Sequence, residues 1–456
     1  MAPVLYWFRR DLRLSDHAGL AAAIATGRPV IPVFVLDEQT GGAWAPGAAS
    51  RWWLHHSLAE LAADLTRRGA GLVLRRGPCA TVIPRLMAET GAVEIHVGDA
   101  VEPWARRGID GLALQVPIRR HRTALLFHPP EITTGAGTPY GVFTPFSRAC
   151  RNAYVGHPRL PAPDRIPTPA LPHSETLADW ALLPTAPDWA GGLRATHAPG
   201  EAGAAARLQA FLPRMAAYAD HRNLPAQPGT SMLSPHLAWG EISTATLWDA
   251  AAAIGGKGAE TFQSELLWRE FSAHLLWHSP SLPETPLKPA YADFPWRDDP
   301  PALRAWQRGR TGFPIVDAGM RELWQTGWMH NRVRMIVASF LIKHLLLPWQ
   351  LGERWFWDCL VDADLAANAA SWQWVAGSGA DAAPFFRIFN PVLQGLKFDP
   401  DGAYVRRFVP ELRSVPDRFL HNPWEAPVPP RDYPAPIVDL AFGRARALAA
   451  LQTITK

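Results

Sequence analysis

The sequence predicts two architectures in one chain: an α/β N-terminal domain with a parallel, Rossmann-like sheet, then an all-α domain. Three observations carry this reading. The first 130 residues alternate short β-branched runs with helix-periodic stretches, residues 156–200 are dense in proline, and strand signals nearly vanish after 201. The expected organisation is therefore a domain at 1–130, a connector at 131–200 and a helical domain at 201–456. A chain of 456 residues is too long for one ordinary core.

The strand candidates are VLYWF (4–8), PVIPVFVLD (29–37), GLVLRR (71–76) and VEIHVGD (93–99), each bounded and of strand length. Between them lie AGLAAAIAT, SRWWLHHSLAELAADLTRRG and TVIPRLMAETG, which have helical periodicity. Alternating βα units imply a parallel sheet with helices on both faces, and a ligand place at the carboxyl ends of the strands. No Walker A loop or GxGxxG turn joins a strand to a helix. GAGTPYG (135–141) carries a proline and reads as a loop. HPRLPAPDRIPTPALPH and LLPTAPDW cannot sustain helix or sheet ladders and predict a connector laid over the surface. Beyond it, ETFQSELLWREFSAHLLWH, FPIVDAGMRELWQTGWMHNRVRMIVASFLIKHLLL and GERWFWDCLVDADLAANAAS read as long helices, and the region from 201 onward holds most of the 21 tryptophans.

Composition excludes several classes. Hydrophobic content of 48% and charged content of 19% describe a large packed interior. No run of 18 or more uncharged apolar residues argues for a membrane span. MAPVLYWFRRDLRLSD lacks a secretory leader's pattern and reads as a first strand. Cys79, Cys150 and Cys359 show no paired spacing, which argues against a disulfide framework or zinc site and fits a reducing cytosol. His274 and His278 stand four apart but have no third ligand at a metal interval, so no metal site is expected. Forty of the 45 basic residues are Arg, which suits phosphate recognition; genomic base composition would produce the same bias.

Several groups have chemistry in them. GTSMLSPHLAWGEIS (229–243) puts Gly, Thr and two Ser ahead of a helix, as an ordinary N-cap or as a diphosphate cradle. Glu265, Trp268 and Arg269 in FQSELLWREF fall at i, i+3 and i+4 and share a face. Asn331 and Met335 share another, with Arg332 and Arg334 on its flanks. Asp362 and Asp364 are helix caps or part of a site. Trp372 and Trp374 in DLAANAASWQWVA stand about 200° apart on a helix, so their rings point in nearly opposite directions.

Taken together and in order, WFRRDLRLSD, GTSxLSPHL, ELLWREF, TGFPIVDAGMRELWQTGWMHNRVRM and DADLAANAASWQWVAGSGADAAPFFRIFNPVLQGLKFD closely resemble the DNA photolyase/cryptochrome family over almost the whole chain. The resemblance implies an N-terminal antenna domain and a helical domain holding FAD in a bent shape. Tyr218, Thr230, Ser231, Met232, Leu233 and Ser234 would bind the diphosphate region, and Asp362, Ala363 and Asp364 the flavin and adenine side. Arg334 would pair with Asp362, and Asn368 would face flavin N5 and help set which reduced form persists. Trp372, Trp349 and Trp306 would pass electrons inward from the surface, with Trp306 outermost. The active cofactor would be FADH⁻.

The implied substrate is UV-damaged DNA carrying a cyclobutane pyrimidine dimer, flipped out of the duplex and split by one transferred electron. Glu265 would hydrogen-bond the dimer and stabilise its charge, Trp268 and Trp374 would line the lesion cavity, Asn331 would hold the lesion and Met335 would pack on it. Arg222, Arg269, Arg332 and Arg387 are candidates for backbone phosphates. Enzymes acting on (6-4) photoproducts carry His-His where this chain has His330-Asn331, and another His at Met335, so cyclobutane repair is favoured. Ala369, Ala370 and Ser371, and Phe262, depart from the best-known bacterial members. ASRWWLHHSL and VEPWARRGID look most like class III photolyases, which favours methenyltetrahydrofolate as antenna over deazaflavin, FMN or none. The alternative is a cryptochrome, a blue-light flavin photoreceptor without repair. The chain is expected to act as a monomer without a membrane partner, in the cytoplasm on nucleoid DNA.

Overall fold

A computed structural model describes residues 1–156, 158–381 and 386–454. Residues 382–385, between Trp374 and Arg387 in one of the motifs quoted above, lie outside the described residues. The chain divides into two compact units: residues 1–216, 231–280 and 361–366, and residues 217–230, 281–360 and 367–456.

The first unit is built on five parallel strands, β1 (Val4–Phe8), β2 (Val30–Leu36), β3 (Val73–Arg76), β4 (Ile95–Gly98) and β5 (Ile118–His121), in the order β3-β2-β1-β4-β5. Helices α1 (Ala18–Ala25), α2 (Ala48–Arg67), α3 (Cys79–Thr90) and α4 (Pro103–Ala113) connect them. Side chains alternate along β1 as strand geometry requires. Val4, Tyr6 and Phe8 join a core with Leu20 of α1 and Trp52, Trp53 and Leu58 of α2. Leu5 and Trp7 join another with Ile83 and Leu86 of α3 and Ile109 and Leu112 of α4. Both faces of the sheet are therefore covered, as the sequence predicts. The strand it misses is β5, whose IRRH is half-exposed edge and lacks an apolar run.

The proline-rich connector does more than cross the surface. Ile166, Trp180 and Leu182 are buried in the first of these cores. Its backbone also bonds to the sheet domain, with Val30 N–H donating to Pro167 O, Ile166 N–H to Arg68 O and Glu175 N–H to Leu74 O. The expected boundaries at 130 and 200 are corrected accordingly: 131–200 belongs to the first unit, which closes its core with these residues and continues to 216.

The remaining helices are α5 (Phe143–Ala153), α6 (Gly191–Thr196), α7 (Glu201–Phe211), α8 (Tyr218–His221), α9 (Ser234–Trp239), α10 (Thr244–Ile254), α11 (Gly256–His278), α12 (Pro300–Gln307), α13 (Pro314–Thr326), α14 (Asn331–Ser339), α15 (Trp349–Cys359), α16 (Leu365–Ala376), α17 (Pro391–Phe398), α18 (Ala403–Phe408) and α19 (Leu440–Ile454). In the second unit, α13 starts with a proline at its first position and stops at Gly327, which is left-handed with φ 66°. Gly319 lets α14 close in: a Cβ there would lie 2.4 Å from a Val333 methyl. Among the described residues no helix is long and apolar enough to cross a membrane.

Candidate functional site

The N-terminal motif WFRRDLRLSD is a clamp within the first unit. Arg10 Nη1 donates to Ala238 O and Ala363 O, both at 3.1 Å, and Arg13 Nη1 donates to Gly240 O at 3.0 Å. Leu12 N–H donates to Trp239 O. Gly240 permits this approach, because a Cβ there would sit 2.1 Å from Arg10 O. Asp11 accepts from Tyr6 Oη at 2.7 Å and from Arg9 N–H at 2.8 Å, with the His17 ring at 3.4 Å. Burial alone would raise its pKa; His17 and these donors hold it well below the usual carboxylate range.

This clamp fixes two of the sequence-predicted segments. In the 229–234 loop, Met232 adopts φ 52°, a left-handed conformation that non-glycine residues rarely hold. The hydroxyls do not cap the helix, which was one of the two readings of this loop. Ser234 Oγ donates to Asp362 Oδ2 at 2.6 Å, and Ser231 Oγ accepts from Leu233 N–H at 3.3 Å. The helix behind them, α9, is only six residues long. Asp362 is buried, Ala363 is held through its carbonyl by Arg10, and Asp364 is half-buried. Tyr218 is buried in the second unit, with the Arg222 guanidinium 5.5 Å from its ring centre.

On α11, Glu265, Trp268 and Arg269 are all half-buried, consistent with one shared face. Phe143 stacks on Trp268 with ring centres 3.7 Å apart and planes at 5°. Arg269 is not free for a phosphate. Its guanidinium donates to Ala124 O (2.9 Å), Thr244 Oγ1 (3.3 Å) and Leu237 O (3.4 Å), so it is a strut between helices and loop. Spacing placed it on the correct face but could not show that carbonyls occupy its donors. His274 is a core histidine, bonded to Tyr140 N–H at 3.0 Å and facing Pro129 O at 3.3 Å.

The turn between α13 and α14 presents exposed Asn331 and, one helical turn on, half-buried Met335. His330 Nδ1 caps α14 by accepting from Arg332 N–H at 3.2 Å. Burial and the neighbouring arginines push its pKa down to about 4, so the ring is neutral near pH 7. Arg332 donates through Nε and Nη2 to Asn223 Oδ1, and its guanidinium lies 4.5 Å from the Phe398 ring centre. Arg334 Nε donates to Met329 O at 2.8 Å. Arg387 is exposed.

Helices α15 and α16 bring together the electron-transfer candidates. Trp372 is 2% exposed and Trp374 half-buried, on opposite sides of α16 as their spacing demands. Trp374 Nε1 donates to Asp381 O. The Trp372 ring lies against Gly352, where a Cβ would be 2.1 Å away. Trp349 is buried one turn earlier on α15. Trp306 is a correction: expected as the surface end of the chain, it is 0% exposed. It meets Trp372 directly at 6.3 Å, beside Phe356, and its Nε1 donates to Val337 O. Helix α12 turns that indole inward. The solvent-facing indoles of this unit include half-buried Trp296, packed on Phe294, and Trp324, 62% exposed and stacked on Trp355.

One residue near these escaped the sequence reading. Asn368 Nδ2 donates to the carbonyl of Glu353 at 3.0 Å, and the Glu353 carboxyl is 0% exposed with no hydrogen-bond partner for either oxygen. Burial, reinforced by Glu284, raises its pKa well above the usual range. The available signal was its place in the apolar stripe of α15, with Trp349, Gly352, Phe356 and Trp357 at helical spacing.

Comparison with known proteins identifies the family. The family described as DNA photolyase matches residues 4–168, and that described as the FAD binding domain of DNA photolyase matches residues 262–453. A deoxyribodipyrimidine photo-lyase of Agrobacterium fabrum is 48% identical, covering 100% of this chain and 98% of its own. Cryptochrome-1 of Arabidopsis thaliana is 35% identical over 98% of this chain and 70% of its own length. The crystal structure of a bacterial class III photolyase from Agrobacterium tumefaciens superposes with a TM-score of 0.96, at 48% identity and with 100% and 98% of the two chains covered. Within the first unit the residues present fit FAD: a left-handed backbone turn at Met232 and a buried Asp362 oriented by Ser234. The chain belongs to the DNA photolyase family.

Proposed function

We propose that this protein repairs cyclobutane pyrimidine dimers in DNA, using light absorbed by bound reduced FAD. Reduced FAD, when bound, would supply one electron on excitation and recover it, so that no atom would be added or lost as the C5–C5′ and C6–C6′ bonds of the dimer break. The observation that carries the lesion assignment is the Asn331–Met335 face behind a neutral His330. Opening a (6-4) photoproduct requires an acidic proton donor; Met335 has no proton to give, and an imidazole titrating at about 4 gives none at neutral pH.

The residues divide by task. The backbone of Thr230, Ser231, Met232, Leu233 and Ser234, with Tyr218, takes the diphosphate of FAD. Asp362, Ala363 and Asp364 take the flavin and adenine side, and Arg334 is a further candidate for the cofactor. Asn368 has one amide N–H committed to Glu353 O, so its Oδ1 would be available as an acceptor toward flavin N5. Trp372, Trp349 and Trp306 relay electrons through oxidisable rings. Glu265 binds the base edge of the dimer. Trp268, covered on one face by Phe143, offers its other face for stacking, and such a base–aromatic stack contributes about 1–3 kcal/mol. Trp374, Asn331 and Met335 complete the lesion contacts. Arg222, Arg332 and Arg387 meet backbone phosphates, giving salt-sensitive and largely sequence-blind binding.

The antenna belongs at the carboxyl ends of β1 and β4, where the strand order reverses and Arg10 pairs with Glu102 at 3.4 Å. Methenyltetrahydrofolate is the chromophore we favour. The protein acts as a cytoplasmic monomer on DNA.

Blue light on reduced protein, with oligonucleotides carrying either lesion, tests the reading. Light-dependent restoration of the cyclobutane dimer alone is expected. Restoration of the (6-4) photoproduct alone overturns the lesion assignment. Repair of neither, with FAD bound and photoreducible, transfers the function to the cryptochrome alternative.

A further inference from the structure

The α13–α14 turn that carries Asn331 and Arg332 is held from behind by a buried carboxyl. Glu322, on the last turns of α13, is buried, and its Oε2 accepts from the His330 backbone N–H at 3.1 Å and from Tyr404 Oη at 2.7 Å. Tyr404 is itself held in place: it is 1% exposed, packs on Phe408 at 5.1 Å, and its backbone N–H donates to Asp399. We propose that Glu322, braced by Tyr404, is a positioning residue for damaged DNA, whose carboxylate fixes the turn presenting Asn331 to the lesion and Arg332 to a phosphate. This rests on the reading of Asn331 and Arg332 as DNA contacts.

The charges around Glu322 give the device a pH dependence. Burial raises its pKa to about 7, while the Tyr404 hydroxyl, the His330 N–H, Arg334 on α14 and Arg407 on α18 favour the ionised form. An ionised carboxylate accepts both hydrogen bonds as charge-assisted bonds; a protonated one keeps them as weaker neutral bonds. The turn is therefore firmest above about pH 7 and loosens below it. Global stability moves the other way. A carboxyl titrating at about 7 when folded and near 4.5 when unfolded costs stability as pH rises through that window, because the folded state binds the extra proton. His330, at about 4, does not titrate there.

These opposite signs separate positioning from bulk stabilisation. The test is dark binding of an oligonucleotide with a single cyclobutane dimer, by fluorescence anisotropy, alongside melting temperature, across the titration of Glu322. Wild type should bind more tightly as pH rises through about 7 while this group's contribution to stability falls. Glu322→Gln, which keeps the shape and an acceptor, should bind about three- to tenfold more weakly at alkaline pH and show no step in affinity. Tyr404→Phe should weaken binding less and keep a step, displaced upward because a neighbour that favours ionisation is gone. A Glu322→Gln protein with the wild-type affinity step overturns the proposal. So does affinity that follows melting temperature in every variant. Should wild type fail to prefer the dimer oligonucleotide over undamaged DNA at any pH, the reading of Asn331 falls first and the inference with it.

Discussion

Two buried carboxyls, Asp11 at the end of the sheet and Glu353 in the helical unit, are equally removed from water and behave in opposite ways. Asp11 collects Tyr6, His17 and the Arg9 N–H, and its pKa is pulled well down. Glu353 has no hydrogen-bond partner on either oxygen and its pKa is pushed well up. Burial is common to both; the donors supplied by the fold decide the charge. The difference teaches where this molecule invests its polar groups. At the sheet they lock one segment to another, and in α15 one is left buried without a partner.

The comparison can be broken from either side. Replacing Asp11 with Ala strands three polar partners in the core and should cost about 3 kcal/mol, read as a lowered melting temperature. An unchanged melting temperature would mean the clamp carries no stability. The same group sets an acid limit: its folded pKa is depressed, so its contribution is present above the ordinary Asp value and is lost as pH falls through the folded one. Trp372→Phe should cost about 1–2 kcal/mol for the volume lost against Gly352. It should also abolish photoreduction of oxidised FAD while pre-reduced protein still repairs. Trp306→Phe sharpens the corrected relay: if the buried indole passes electrons, photoreduction falls as it does for Trp372→Phe, and wild-type photoreduction removes Trp306 from the chain. The smallest stability effect is expected for Glu353→Gln, since an amide of the same shape replaces a carboxyl whose burial already disfavours its charge, a change of about 0.5 kcal/mol or less. Its signature is chemical instead. The amide has no acidic proton, so the absorbance change reporting proton uptake after photoreduction should slow; an unaltered rate leaves Glu353 as a core side chain.

Legibility followed the physics of each signal. The βα alternation was visible because each buried parallel strand is a continuous apolar run, and it failed at β5, where an edge strand carries IRRH half-exposed. Trp372 and Trp374 could be assigned to opposite faces from spacing alone, since a helix fixes rotation per residue. The role of Arg269 was not legible, because its acceptors at Ala124 and Leu237 lie far away in sequence. Nor was the depth of Trp306, which depends on which side of α12 meets Val337. Glu322 was not singled out either, because its burial and its Tyr404 partner depend on segments distant in sequence.

By itself, then, the sequence determined what is local or periodic: the two architectures, the faces of the helices, and the ordered motifs that mark the family. Only the tertiary structure decided what burial and distant partners control, namely that the proline-rich connector closes a core, that Arg269 is a strut, and that Glu322 and Glu353 titrate far from their ordinary values. The reason is physical. Helical rotation and strand alternation act over a few bonds of chain, whereas desolvation and hydrogen bonding depend on whichever groups the fold brings within a few ångströms.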